Sequence, residues 1–156
     1  MTVARGASGA VRISGFSFAR NAVRLDYPLR ESLLSALPLV DEMIVAVPPG
    51  DHDDDTHGLV ESLGDPRIRI VETVWDDARR HLAYSDLTNA ALDACSGDWC
   101  LYLQADEVLH EHDVAPIRAR CEDLLDDRRM EGPSSTGRPC PAPDREATGQ
   151  HVSGGT

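Results

Sequence analysis

The sequence predicts an α/β domain with a mostly parallel βαβαβαβ sheet covered by helices. Four short apolar runs rich in β-formers are bounded by turn residues, and segments with apolar residues at helical spacing separate them. The chain has 156 residues and is 41% hydrophobic, enough for one globular core. Strands alternating with helices at this spacing imply right-handed crossovers and a sheet buried on both faces.

The strand candidates are "AVRISGFSF" (10–18), "EMIVAV" (42–47), "RIRIVE" (67–72) and "WCLYLQ" (99–104), the last expected in the centre of the sheet. The first helix candidate is "YPLRESLLSALPLV" (27–40), with Leu29, Leu33, Leu34 and Leu37 on one face. The second is "DDDTHGLVESLG" (53–64), capped by Asp53 or Asp54, and the third is "SDLTNAALDACSG" (85–97), capped by Ser85. Gly64 and Gly97 stand where a left-handed residue is wanted after a helix. A charged segment, "PIRARCEDLLDDRR", reads as a fourth helix with a solvated face.

Regular periodicity runs to about residue 128, giving a domain over 1–128 followed by a Pro/Gly/Ser-rich tail over 129–156 that is expected to be disordered. The formal charge of −12, with every basic residue an Arg, excludes the electrostatic footprint of a nucleic-acid or anionic-membrane binder. Cys95, Cys100, Cys121 and Cys140 have neither CxxC spacing nor the density of a disulfide scaffold, so they read as reduced thiols, Cys95 and Cys100 packing in the core. With no leader-like apolar run and no membrane-length segment, a cytoplasmic location without a membrane span is expected.

In open parallel sheets ligands bind beyond the carboxyl ends of the strands. Four loops lie there: "FARNAVRLD", "PPGDHDDDT", "TVWDDARRHLAY" and "ADEVLHEH". Acids at 53–55 suit a first helical turn without any function. Asp106 and Glu107, ending a central strand, suit a hard divalent cation sharing its shell with water and phosphates. His110 and His112, on an extended segment, would point to one side and could supply a transition-metal site, but with no third ligand a solvated loop is the better reading. Arg79 and Arg80 suit a phosphate or plain solvent exposure.

From about Ala10 to Arg118 these loops, in this order, resemble the nucleotide-sugar half of a GT-A glycosyltransferase of the inverting family 2. "ISGFSFARNAV" looks like the loop that wraps the nucleotide, which implies that Phe18, Arg20 and Asn21 lie near base and ribose. "PPGDHDDDT" stands in the place of the family's acid-rich DDGSTDDT turn, with Pro49 and Gly50 where the leading acids belong, and Asp51 is carried over to the donor site. The resemblance also assigns Arg80 and Asn89 to the donor. "QADE" matches the DxD-like motif in register: Asp106, with Glu107 beside it, would hold Mn2+ or Mg2+ on the diphosphate. Gln104 replaces the first acid; its amide can still bond a ribose hydroxyl but brings no charge.

The resemblance implies a nucleotide-diphospho-sugar donor and a saccharide, lipid or protein acceptor. An inverting displacement needs a carboxylate general base. None is found after the motif, where Glu122 and Asp123 read as helix surface. The loss of globular character beyond Met130 reads as a chain shortened after the DxD-like motif, and an edge or apolar face left uncovered favours homo-oligomerisation. Two other readings stand beside the transferase: a catalytically incomplete nucleotide-sugar-binding remnant, and an unrelated flavodoxin-like or response-regulator-like domain.

Overall fold

A computed structural model describes residues 10–125. The chain runs β1 (Ile13–Phe18), α1 (Leu29–Ala36), β2 (Glu42–Val47), α2 (Thr56–Glu61), β3 (Ile68–Glu72), a 3-10 turn (Asp77–Arg79), α3 (Arg80–Asp93), β4 (Trp99–Tyr102) and α4 (Glu111–Leu124). The four strands form one sheet in the order β3-β2-β1-β4, every pair parallel, as the alternation of elements predicts. The tail expected from residue 129 lies outside the described residues.

The sheet is covered on both faces. On one, Ile13, Met43, Val45 and Val47 pack with Leu29, Leu33 and Ala36 of α1 and Val60 of α2, joined by Val114, Ile117 and Cys121 of α4. On the other, Phe16, Ile44 and Ala46 meet Ala91 of α3. β1 and β2 are buried almost throughout, whereas β3 and β4, each with one strand neighbour among the described residues, hold only half-buried and exposed positions. β4 is therefore an edge strand and not a central one. Its edge position is why Cys100 is exposed, while Cys95 stays half-buried against the Phe16 cluster.

Local chemistry sets the element ends, and several differ from the sequence expectations. In α1 the buried stripe is Leu29, Ser32, Leu33 and Ala36; Leu34, a further 100° round the helix, is exposed. Pro38 follows, lacking an amide and obstructing the preceding turn, so α1 ends at Ala36, whose carbonyl takes the amides of Leu39 and Val40. The N-cap of α2 is Asp55, which accepts from the Gly58 amide at 3.0 Å. Asp53 and Asp54 precede the helix; Asp54 instead accepts from the amides of Arg24 and Thr56 at 3.1 and 3.0 Å. Burial opposes ionisation of Asp54, but these bonds outweigh it and hold its pKa below the usual value.

α3 begins five residues before Ser85. The start signal is Asp76, whose carboxylate takes the Ala78 amide at 2.9 Å and opens the 3-10 turn that runs into the helix. Ser85 lies inside α3 and donates to the Leu82 carbonyl. Gly64 has φ of +64°, as a left-handed turn requires, but Gly97 has no positive φ. Gly97 is needed for room: a Cβ there would lie 2.7 Å from the Ser14 nitrogen and 2.8 Å from the Arg12 oxygen. α4 likewise starts early, at Glu111, so His112 is helical while His110 alone keeps an extended backbone. His110 is its N-cap, accepting the His112 amide on Nδ1 at 3.1 Å.

Candidate functional site

The β1 and β2 loops are fastened together at the carboxyl edge of the sheet. Asn21, 8% exposed and left-handed at φ +57°, donates from Nδ2 to Asp51 and accepts the Asp51 amide on Oδ1 at 2.8 Å. Arg20 donates to Asp51 at 2.9 Å and to the Pro49 carbonyl at 3.2 Å, and its guanidinium lies over the Trp75 ring, 4.4 Å from the centroid. Arg24 also pairs with Asp51. Deeper in, the Ala22 amide donates to Thr56 Oγ1 at 2.7 Å. One carboxylate thus gathers two guanidiniums and a carboxamide, and Arg20 joins the first three loops.

The fourth loop is held by α1. Ser32 Oγ donates to the Gln104 carbonyl at 3.0 Å and Ser35 Oγ accepts the Leu109 amide at 2.9 Å. Within this loop Glu107 closes a small turn, accepting the Gln104 amide at 3.0 Å and donating its own amide to the Gln104 carbonyl at 3.1 Å. Asp106 is left exposed between these contacts.

A cleft of about 680 Å³ opens between the first, third and fourth loops and α3. The chain has two Trp, three Tyr and two Phe, and five of these seven line it: Phe18, Tyr27, Trp75, Tyr84 and Tyr102. Tyr84 is the hub, with its ring centroid 5.7 Å from Phe18 and 5.8 Å from Trp75, and it is 61% exposed. Such a concentration in a chain that is 4% aromatic is not required by the core, because these rings face the opening.

Of the residues singled out in the sequence, Phe18, Arg20, Asn21, Gln104 and Asp106 come together on the cleft wall. Asp51 stands behind Arg20 and Asn21 as their clamp. Asn89 is exposed on α3 and is not part of the lining, which takes Tyr84, Ser85 and Thr88 from that helix. Glu107 faces its own turn. Arg80 opens α3 through its backbone, and its side chain lies outside the described residues. Sequence reasoning missed Trp75, Tyr84, Tyr102 and Tyr27; the available signal was that most of the few aromatics fall in or beside the carboxyl-edge loops.

A superposable architecture occurs in the crystal structure of S. aureus TarS 1-349, with a TM-score of 0.53, 19% identity and 72% of this chain covered. A second S. aureus TarS crystal structure gives a TM-score of 0.56 at 17% identity, again over 72% of this chain. This is a glycosyltransferase-like, Rossmann-type fold. The chain spans 32% and 20% of those two proteins' lengths. No protein-family model and no curated protein matches it. No helix among the described residues is long and apolar enough to cross a membrane.

The donor set limits what a metal could use. Among the described residues no three His, Cys, Asp or Glu side chains are grouped to hold an ion. Asp106 is the acid on the cleft wall, which Gln104 also lines. Mg2+ and Mn2+ keep several waters and complete their shells with substrate phosphates, so one carboxylate fits a site that the ligand itself finishes, and does not fit a closed protein cage.

Proposed function

We propose that the cleft binds a nucleotide-diphospho-sugar and that the protein acts as a glycosyltransferase on an acceptor hydroxyl. The carrying observation is the aromatic cleft at the carboxyl edge, with Asp106 and Gln104 on its wall. Tyr84 and its partners Phe18 and Trp75 offer ring faces to a base, since every nucleobase has a π-face to stack. Gln104 suits a ribose hydroxyl, because its amide both donates and accepts. Asp106 would hold Mn2+ or Mg2+, which when bound neutralises charge on the diphosphate leaving group.

Arg20 and Asn21 serve this reading as wall rather than as free binding groups, since Asp51 engages both side chains. The inverting mechanism, the divalent ion and the acceptor belong to the same proposal and follow from the family resemblance.

The test is a thermal-shift panel of UDP, GDP, TDP and CMP, with and without Mn2+, on the wild type, Asp106→Ala and Tyr84→Ala. Stabilisation by one nucleotide is expected, strengthened by Mn2+ except in Asp106→Ala, and weakened with or without Mn2+ in Tyr84→Ala. A folded protein that no nucleotide stabilises would overturn the donor reading. Nucleotide binding without sugar transfer or donor hydrolysis would leave a donor-binding protein in place of an enzyme.

A further inference from the structure

We propose that Cys95 and Cys100 are a site of reversible oxidation, closing an intrachain disulfide that clips the end of α3 to β4. The argument does not depend on the nucleotide reading.

Cys95 lies two residues beyond the end of α3, its amide bonded to the Leu92 carbonyl at 3.0 Å and its thiol to the Ala91 carbonyl at 3.5 Å. The chain then turns tightly against β1. The Ser96 and Gly97 amides both donate to Ser14 Oγ, at 3.2 and 2.7 Å, and the Asp98 amide donates to the Arg12 carbonyl at 2.8 Å. This turn returns the chain so that Cys100 pairs with Ser14 in the β1–β4 ladder. Alternation along β4 sends Trp99 and Leu101 to the α1/α4 side. Cys100 and Tyr102 consequently face α3, where the Tyr102 ring lies 5.2 Å from Phe16, the residue that clusters with Ala91 and Cys95.

The two cysteines are thereby placed on the α3 face of the sheet around Ser14, which Cys100 pairs with and the residue after Cys95 bonds, one half-buried and one exposed on an edge strand. Their environments divide the labour. The neighbouring Cys95 favours the Cys100 thiolate and lowers its pKa, and the same pairing, with burial, raises that of Cys95. With a peroxide as oxidant, Cys100 Sγ attacks one oxygen, the O–O bond breaks, and a sulfenic acid and hydroxide form. Cys95 Sγ then attacks that sulfur. The S–S bond forms, the S–O bond breaks, and the departing hydroxide takes the Cys95 proton, so two thiols become a disulfide and the peroxide becomes two waters. Because α3 supplies Tyr84, Ser85 and Thr88 to the cleft and β4 supplies Tyr102, the clip joins two of its walls.

The test uses the full chain, treated with hydrogen peroxide, denatured with iodoacetamide and digested with trypsin. With no Lys in the sequence, residues 81–118 form one peptide holding both cysteines, while Cys121 and Cys140 fall in others and act as internal controls. The expected product is that peptide lighter by two hydrogens and unalkylated, reverting to the doubly alkylated form with dithiothreitol. Cys95→Ser should leave a sulfenic acid at Cys100 that dimedone traps. Should this variant not fold, the wild-type peptide mass decides alone. Double alkylation of 81–118 under conditions that oxidise Cys121, or disulfide-linked dimers on a non-reducing gel, would overturn the proposal.

Discussion

Asn21 and Asp51 clasp one another through reciprocal hydrogen bonds: Asn21 Nδ2 donates to Asp51 Oδ2 at 3.1 Å, and the Asp51 amide donates back to Asn21 Oδ1 at 2.8 Å. The clasp holds a left-handed residue in place, and that residue directs Arg20 towards Trp75. Losing a buried hydrogen-bond partner costs about 1–3 kcal/mol. A non-glycine residue in the left-handed region adds about 1–2 kcal/mol. Asn21→Ala is expected to lose both contributions, and Asn21→Gly only the first. Urea denaturation of the two variants checks this, and equal losses would show that backbone strain is not what Asn21 relieves.

The buried stripe of α1 predicts a sharp contrast between adjacent leucines. Leu33 is fully buried in the core, whereas Leu34 is 40% exposed. Leu33→Ala is expected to destabilise by about 2–5 kcal/mol. Leu34→Ala should stay within about 1 kcal/mol of wild type, as surface substitutions do. Denaturant midpoints compared at a common m-value distinguish them; similar losses would mean that α1 is rotated from the orientation described.

The parallel sheet and its order of elements were legible because β-rich runs and helical spacing are local patterns, and 42–47 coincides with β2. The position of β4 was not. An apolar run reads alike in a central or an edge strand, and only the pairing β3-β2-β1-β4 shows that β4 has one neighbour. The helix starts failed for a related reason. In "DHDDD" any acid can cap, and the choice of Asp55 was made by Arg24 and Thr56, which draw Asp54 away. At the site, Phe18, Arg20, Asn21, Gln104 and Asp106 were named from their order along the chain, whereas Tyr84 enters the cleft only through the early start of α3.

Gly97 separates steric need from conformational need. Its would-be Cβ meets the backbone of Arg12 and Ser14, which cannot give way without opening the β1–β4 ladder. Gly64 has space around it and only its positive φ to defend. Gly64→Ala is expected to lose about 1–2 kcal/mol. Gly97→Ala should lose more and should also speed hydrogen exchange at β4 amides. Equal melting temperatures for the two variants would contradict the close approach.

Glu42 gives the fold an acid-sensitive joint. Its Oε1 accepts from Ser14 Oγ at 2.6 Å, the Ser96 amide at 2.7 Å and Ser96 Oγ at 2.8 Å, and Arg69 lies 3.8 Å from Oε2. Burial works to raise its pKa, but these contacts prevail and lower it from 4.5. A depressed carboxylate contributes stability that is present above the unfolded value and lost as pH falls through the folded one. Stability should therefore decline as pH drops from about 4.5, and Glu42→Gln should be less stable at neutral pH with a shallower acid limb. Parallel acid limbs in the two proteins would remove Glu42 from the account.

Tyr84 offers the most direct functional prediction. It is 61% exposed, so Tyr84→Ala should leave the melting temperature of the ligand-free protein nearly unchanged. If its ring stacks on a base, losing it costs about 1–3 kcal/mol of binding, or roughly 5- to 150-fold in Kd. Tyr84→Phe keeps the ring and its contacts with Phe18 and Trp75, so it should bind nearly as the wild type. Titration calorimetry of the best-stabilising nucleotide against the three proteins measures this. Equal weakening in Tyr84→Ala and Tyr84→Phe would assign the contribution to the hydroxyl and reject stacking. Unchanged affinity in both would move the base to another part of the cleft, towards Tyr102 and Tyr27.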